Sequence, residues 1–123
     1  MGAAVKASCH CGAVRFEVAE APAEITSCNC SICRRNGALW AYYHPDQIRF
    51  DDAPNATAAY IQGDRMLALH HCRTCGCTTH WVSIVPEYAH RMGVNARLFD
   101  GLDWSKVRIR PFDGADTWKF LDE

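Results

Sequence analysis

The sequence predicts an all-β domain, on three observations. Apolar residues fall in short runs, the clearest of which alternates with polar residues at the two-residue period of a half-buried strand. Glycine, proline, aspartate and asparagine punctuate those runs and leave space for short elements only. Seven of the eight cysteines stand in three close-set groups, Cys9-His-Cys11, Cys28-Asn-Cys30-Ser-Ile-Cys33 and Cys72-Arg-Thr-Cys75. That is the spacing of metal ligands, and a bound ion would staple such short strands together.

Taken in order, Ala13 to Val18 is the first strand, with Val14, Phe16 and Val18 on one face and Arg15 and Glu17 on the other. Ala21-Pro22-Ala23 breaks it, and Ile25-Thr26-Ser27 forms a second strand leading into Cys28. Ser31 is placed to cap a short helix over Ile32 to Asn36, closed by Gly37. Leu39 to His44 is rich in aromatics and reads as a strand stopped at Pro45-Asp46. Ile48-Arg49-Phe50 follows, then a turn over Asp51 to Asn55. Ala58 to Gln62 and Met66 to Cys72 flank Gly63-Asp64 as a hairpin, and Thr78 to Val85 has strand composition up to Pro86. Pro86 to His90 fits one helical turn. Met92 to Phe99 and Lys106 to Arg110 are late strands around the Asp100 to Asp103 turn. Eight to ten short strands and one or two short helices result.

The 123 residues make one ordinary domain, 1–123, able to bury roughly two-thirds of the surface its unfolded chain exposes. A net charge of −1, made more negative by metal-bound thiolates, argues against a nucleic-acid surface. No run approaches the ~20 apolar residues of a membrane span. The start, Met-Gly-Ala-Ala-Val-Lys-Ala, lacks the apolar core of an export signal, so a cytoplasmic location is expected. Grouped cysteines in a reducing compartment read as metal ligands or redox residues before disulfides.

Cys9, Cys11, Cys72 and Cys75 supply a complete tetrathiolate set for zinc. In Cys72-x-x-Cys75-Gly76 the backbone N–H groups of the turn can point at the sulfurs, and glycine permits a left-handed angle. A thioredoxin-like redox pair at Cys72 and Cys75 would belong beside a βαβ pattern, which is missing. The group Cys28, Cys30 and Cys33 supplies three ligands on a loop entering the short helix. Three readings stand side by side: an open zinc site that takes water or a substrate sulfur, a site closed by Cys77 or a histidine, or free thiols. Arg34 and Arg35 favour thiolates there and are candidates to receive a substrate carboxylate. Cys77 reads as a small buried residue. His10 and His71 adjoin ligands and suit hydrogen bonding or packing around them. His44, His70 and His80 are placed to approach the three-cysteine group, and His44 or His80 is the candidate proton carrier. Trp40, Tyr42 and Tyr43 read as core or pocket wall, and the tryptophans mostly as packing anchors.

Ser8-Cys-His-Cys-Gly-Ala-Val-Arg-Phe-Glu17, Cys28-Asn-Cys-Ser-Ile-Cys-Arg-Arg-Asn-Gly37 and His71-Cys-Arg-Thr-Cys-Gly76 together resemble the glutathione-dependent formaldehyde-activating (Gfa-like) enzymes. Centromere protein V carries a related domain. Met92 to Asp103 and Phe112-Asp-Gly-Ala-Asp-Thr-Trp118 look like bacterial members too. The resemblance implies a β-tent of several small antiparallel sheets stapled by zinc. It implies a structural zinc on Cys9, Cys11, Cys72 and Cys75, and a catalytic-type zinc on Cys28, Cys30 and Cys33. It also implies a carbon–sulfur lyase whose partner is a small thiol such as glutathione, joined to formaldehyde. Two departures stand out: the chain is compact beside the named enzyme, and Cys77 replaces the threonine or similar small residue expected after Cys-Gly. A zinc-stapled module without chemistry and a thiol redox sensor are the competing readings.

Overall fold

Alternation along Val14, Phe16 and Val18 builds the first side of the core, where all three side chains are buried. The computed structural model describes residues 4–51, 55–61 and 65–122. Within them the strands are β1 (Val5–Ser8), β2 (Arg15–Val18), β3 (Glu24–Cys28), β4 (Trp40–Tyr43), β5 (Ile48–Phe50), β6 (Thr57–Ile61), β7 (Leu67–Cys72), β8 (Thr78–Ser83), β9 (Met92–Asn95) and β10 (Arg108–Phe112). One α-helix, α1 (Ser31–Asn36), joins β3 to β4, and 3-10 turns lie at Pro45–Gln47, Pro86–Tyr88, Ala96–Leu98 and Trp104–Lys106.

The strands gather into two sheets, one of three strands in the order β1-β2-β5 and one of seven in the order β10-β3-β4-β9-β8-β7-β6. The main core lies between them. Ala7, Phe16 and Val18 come from the small sheet, and Ile25, Ala41, Tyr43 and Val94 from the large one. Phe16 meets Phe50 at 5.3 Å and Phe99 at 6.3 Å between ring centroids. Each such side chain contributes about 1.5–3 kcal/mol by leaving water.

The opposite face of the large sheet carries a second apolar cluster, because β4 sends Trp40 and Tyr42 away from the core that holds Ala41 and Tyr43. Trp40, Leu69 and Trp81 form it, with Ile32, Cys33 and Tyr42 packed against them. Gly93 makes this possible. It pairs with Tyr42 on one side and Trp81 on the other, and a Cβ there would collide with the Trp81 indole. The indole thus crosses β9 and reaches Tyr42, with ring centroids 6.1 Å apart.

Four expectations change. The N-terminal lead-in is itself a strand, β1, paired with β2 from Val5↔Val18 to Ser8↔Arg15. Met92 to Phe99 is not one strand. Buried Asn95 ends it by accepting from the Leu39 and Arg97 N–H groups and donating to the Thr78 carbonyl, which starts a 3-10 turn. The helix cap is Cys30 rather than Ser31, since the Cys30 side chain accepts from the Cys33 N–H. Finally, β10 pairs with β3 in parallel, the single exception to antiparallel pairing between the named strands. The long chain between β3 and β10 supplies the crossover that a parallel pair requires. Pro111 is tolerated in β10 because that strand lies at the sheet edge. The expected Gly63-Asp64 turn, and Asp52 to Pro54 of the turn before β6, fall outside the described residues.

Candidate metal centres

Two turns of similar build bring the first four thiols together. Cys9 follows β1 and Cys11 closes a turn in which the Gly12 N–H donates to the Cys9 carbonyl at 3.1 Å. Cys72 ends β7, and the Gly76 N–H donates to the Cys72 carbonyl at 3.0 Å. Gly12 and Gly76 have φ of 81° each, the left-handed conformation expected for Gly76 and shared by Gly12. The four sulfurs lie within 4.8 Å of one another. Cys11 Sγ is 3.6 Å from both Cys9 Sγ and Cys72 Sγ. Tetrahedral zinc with bonds of about 2.3 Å sets its sulfurs about 3.8 Å apart, so the donor set fits the ion. Backbone N–H groups already face the sulfurs: Val14 on Cys9 at 3.3 Å, and Thr74 and Cys75 on Cys72 at 3.4 and 3.5 Å. Cys77 is half-buried against this cluster but outside the ligand group.

The second group forms where β3 passes into α1. Cys28 is the last residue of β3, Cys30 the helix cap, and Cys33 stands in the first turn. Their three sulfurs also lie within 4.8 Å. Each receives an N–H: Cys30 donates to Cys28 and Cys33 to Cys30, both at 3.5 Å, and the Trp40 indole Nε1 donates to Cys33 at 3.2 Å. Donors aimed at every sulfur favour thiolates and orient them, the arrangement a metal ligand needs. The Cys33 thiol donates to Cys28 and holds that thiol down to about 6, while the same partnership raises Cys33 above the ordinary range. A cation bound among the three would take the place of that shared proton.

A segment beyond β10 closes over this group. Asn29 donates from its backbone to the Phe112 carbonyl at 3.1 Å and from Nδ2 to Asp113 Oδ1 at 3.0 Å, and its Oδ1 accepts from the Ala115 N–H at 3.0 Å. This presses Gly114 onto the sulfurs, where its N–H favours the Cys28 thiolate. A Cβ on Gly114 would stand 2.6 Å from Cys28 Sγ and 3.2 Å from Cys30 Cβ. Gly114→Ala is therefore expected to weaken metal at the three-cysteine group about 10- to 100-fold, as disturbed ligand support does. Competition with a chromophoric chelator measures this, and the four-cysteine set should be unaffected.

The remaining sequence candidates divide. Arg34 and Arg35 are exposed on α1, and Arg35 Nη1 donates to the Ser31 carbonyl at 2.9 Å. His44 Nδ1 accepts from the Asp46 N–H at 3.1 Å, capping the turn at Pro45–Gln47. Buried His80 stacks on His70 at 4.4 Å and meets Phe50 at 4.5 Å. Strand alternation puts it on the face opposite Trp81, away from the cluster that includes Cys33. No histidine joins either ligand group among the described residues. His10 is exposed and His71 half-buried. Trp40 and Trp81 are packing anchors, whereas Trp104 and Trp118 are exposed, so the expectation holds for two of the tryptophans. Tyr43 is core, and half-buried Tyr42 is wall. Arg91, which the sequence did not single out, lies over Tyr42 with its Cζ 3.8 Å from the ring centroid. Only the Asp113-Gly114 turn had a local signal; Tyr42 and Arg91 meet through sheet pairing.

Protons compete with metal at the three-cysteine group. Cys28, depressed to about 6, is thiolate above that pH and gains a proton as pH falls through it, while Cys33 must release one for metal to bind. Metal affinity should accordingly rise with pH. On acidification the three-thiolate ion should leave before the one held by four, as stepwise zinc release would record.

A mostly β chain carrying one four-thiol and one three-thiol cluster, each fit to hold zinc, is the class that the fold and sites define. The family model described as glutathione-dependent formaldehyde-activating enzyme matches residues 4–112, and the chain belongs to that family. It is also similar to a Rhodobacter sphaeroides protein known from a structural-genomics crystal structure. The likeness has a TM-score of 0.70 and 32% identity, and covers 85% of this chain and 98% of the other. No described helix is long and apolar enough to cross a membrane.

Proposed function

We propose that this protein is a zinc-dependent carbon–sulfur lyase acting on the adduct of a thiol, such as glutathione, with formaldehyde or a related small aldehyde. Family membership supports the reading, and the three-thiolate group carries it. Cys9, Cys11, Cys72 and Cys75 would hold a structural zinc, and Cys28, Cys30 and Cys33 would hold a second one open to a substrate sulfur. Its chemistry there would be to favour the thiolate form of a substrate sulfur at neutral pH. In the adding direction a bond forms between sulfur and the carbonyl carbon, and the proton given up by the thiol ends on the former carbonyl oxygen. Cleavage is the reverse.

The chain supplies orientation and shelter. Trp40 steadies Cys33 through its indole N–H, and the Gly114 segment covers Cys28. Tyr42 packs on the same face. Burial keeps its phenol neutral by raising its pKa, so it remains an O–H donor. The neutral phenol, with Thr26 as a hydrogen-bond partner, is the candidate for the oxygen that gains or loses the proton, whereas His44 caps the Pro45–Gln47 turn and His80 stacks on His70.

Two measurements decide. Metal analysis should find two zinc ions per chain, and the protein should speed exchange between formaldehyde and glutathione, seen by magnetization-transfer NMR. One tightly held zinc with Cys28, Cys30 and Cys33 open to alkylation would support the module without chemistry instead. Reversible disulfides within that group under mild oxidant, without exchange activity, would support the redox sensor.

A further inference from the structure

Besides Arg35, five of the ten described arginines have an ion-pair or carbonyl partner. Arg49 pairs with Glu17, Arg108 and Arg110 with Asp122, and Arg97 and Arg73 donate to backbone carbonyls. Arg91 does not follow this pattern. It is exposed just before β9, and its guanidinium lies over the Tyr42 ring, with Cζ 3.8 Å from the centroid and no ion pair to any described carboxylate. Cation–π attraction holds a guanidinium placed over a ring face, and its fork of N–H donors suits a planar anion.

The ring beneath it belongs to the wall of the three-cysteine centre. Tyr42 meets Trp81 and packs in one cluster with Trp40 and Cys33, and Trp40 donates to the Cys33 sulfur. Tyr42 thus carries Arg91 over its ring and packs against the same cluster as Cys33. Three thiolates around a divalent ion leave a net negative centre, and an incoming thiolate adds to it. A substrate carboxylate near such a centre would be repelled unless a cation held it to one side.

We propose that Arg91, held by Tyr42, is the specificity residue that receives a carboxylate of the substrate thiol, making the preferred substrate an acidic thiol adduct. The inference rests on the reading that thiols bind the three-cysteine zinc. It assigns to the β8–β9 side of the centre the role for which Arg34 and Arg35 were the sequence candidates. An exposed charge-assisted fork contributes modestly, and the expected preference for the free acid is about tenfold.

The test uses the full chain with cobalt(II) in place of zinc, and two probes of nearly equal length, glutathione and its diethyl ester. The change in sulfur-to-cobalt charge-transfer absorbance reports each dissociation constant. Wild type should bind glutathione about tenfold more tightly than the diester, and in Arg91→Gln the ratio should fall to near one. Equal affinities in wild type, or a ratio retained in Arg91→Gln, would overturn the proposal alone. So would a ratio lost only in the Arg34→Gln, Arg35→Gln double variant, which would move the role to the helix. A spectrum indifferent to both probes would overturn this proposal and the underlying thiol-binding reading together.

Discussion

Cys72→Ser is expected to leave the chain without a cooperative unfolding transition at room temperature. Cys72 is fully buried, ends β7, and brings its thiol to Cys9 and Cys11 from 61 residues beyond Cys11. The link ties the turn that joins two strands of the small sheet to the β7–β8 turn of the large one. Structural zinc in small peptides contributes on the order of 10–16 kcal/mol of apparent binding free energy, which is folding free energy when the unfolded chain offers no preformed site. An entire domain typically has about 5–15 kcal/mol of net stability. Losing one of four ligands therefore weakens an interaction as large as the margin that keeps the fold. Serine also places a hydroxyl where the N–H groups of Thr74 and Cys75 are aimed at a sulfur. Circular dichroism with a thermal scan checks the outcome. A sigmoidal transition close to that of wild type would show that the fold stands without this centre.

What the sequence discloses and what it hides follow from how local each signal is. Val14, Phe16 and Val18 were legible because a two-residue alternation is a property of neighbours, and the structure buries all three. The left-handed Gly76, and Gly37 closing α1 with its N–H on the Cys33 carbonyl, were legible for the same reason. The cysteine groups announced themselves by spacing alone. The helix cap at Cys30 was not legible, because serine is the usual choice and the residue order gives no hint that a sulfur takes the N–H. β1 was missed since Val5-Lys6-Ala7 has little strand character of its own; pairing with β2 confers it. The parallel β3–β10 pair and the arrival of Gly114 at Cys28 depend on partners far apart in the chain. Adjacency to Cys33 drew attention to Arg34 and Arg35, yet consecutive helical residues point about 100° apart and do not share a target. Arg91 reaches Tyr42 only through the pairing of β4 with β9, which joins residues about fifty positions apart.

The two centres should separate cleanly under mutation, and Cys30→Ser is the variant that separates them. Cys30 is only half-buried, and in the fold its side chain caps α1 by accepting from the Cys33 N–H. Serine is among the best N-cap residues, so the substitution keeps that bond and leaves helix and sheets in place. At the metal the exchange is not conservative. It removes one of three thiolates, and a neutral hydroxyl is a poor ligand for zinc beside the two that remain. Zinc content should fall from two ions per chain to one, with the melting temperature close to that of wild type. Acceleration of glutathione–formaldehyde exchange should drop by at least about a hundredfold, since disturbing support around a metal already costs about 10- to 100-fold and here a ligand is lost. Cys33→Ser separates the roles less well, because it also removes the acceptor of the Trp40 indole N–H. Element analysis and the exchange assay, run on the same preparation, measure both effects. A folded Cys30→Ser protein with one zinc and full exchange activity would locate the chemistry elsewhere than at the three-cysteine centre. Loss of the second zinc and of activity, with the fold intact, would divide the seven clustered cysteines into four that hold the chain together and three that work.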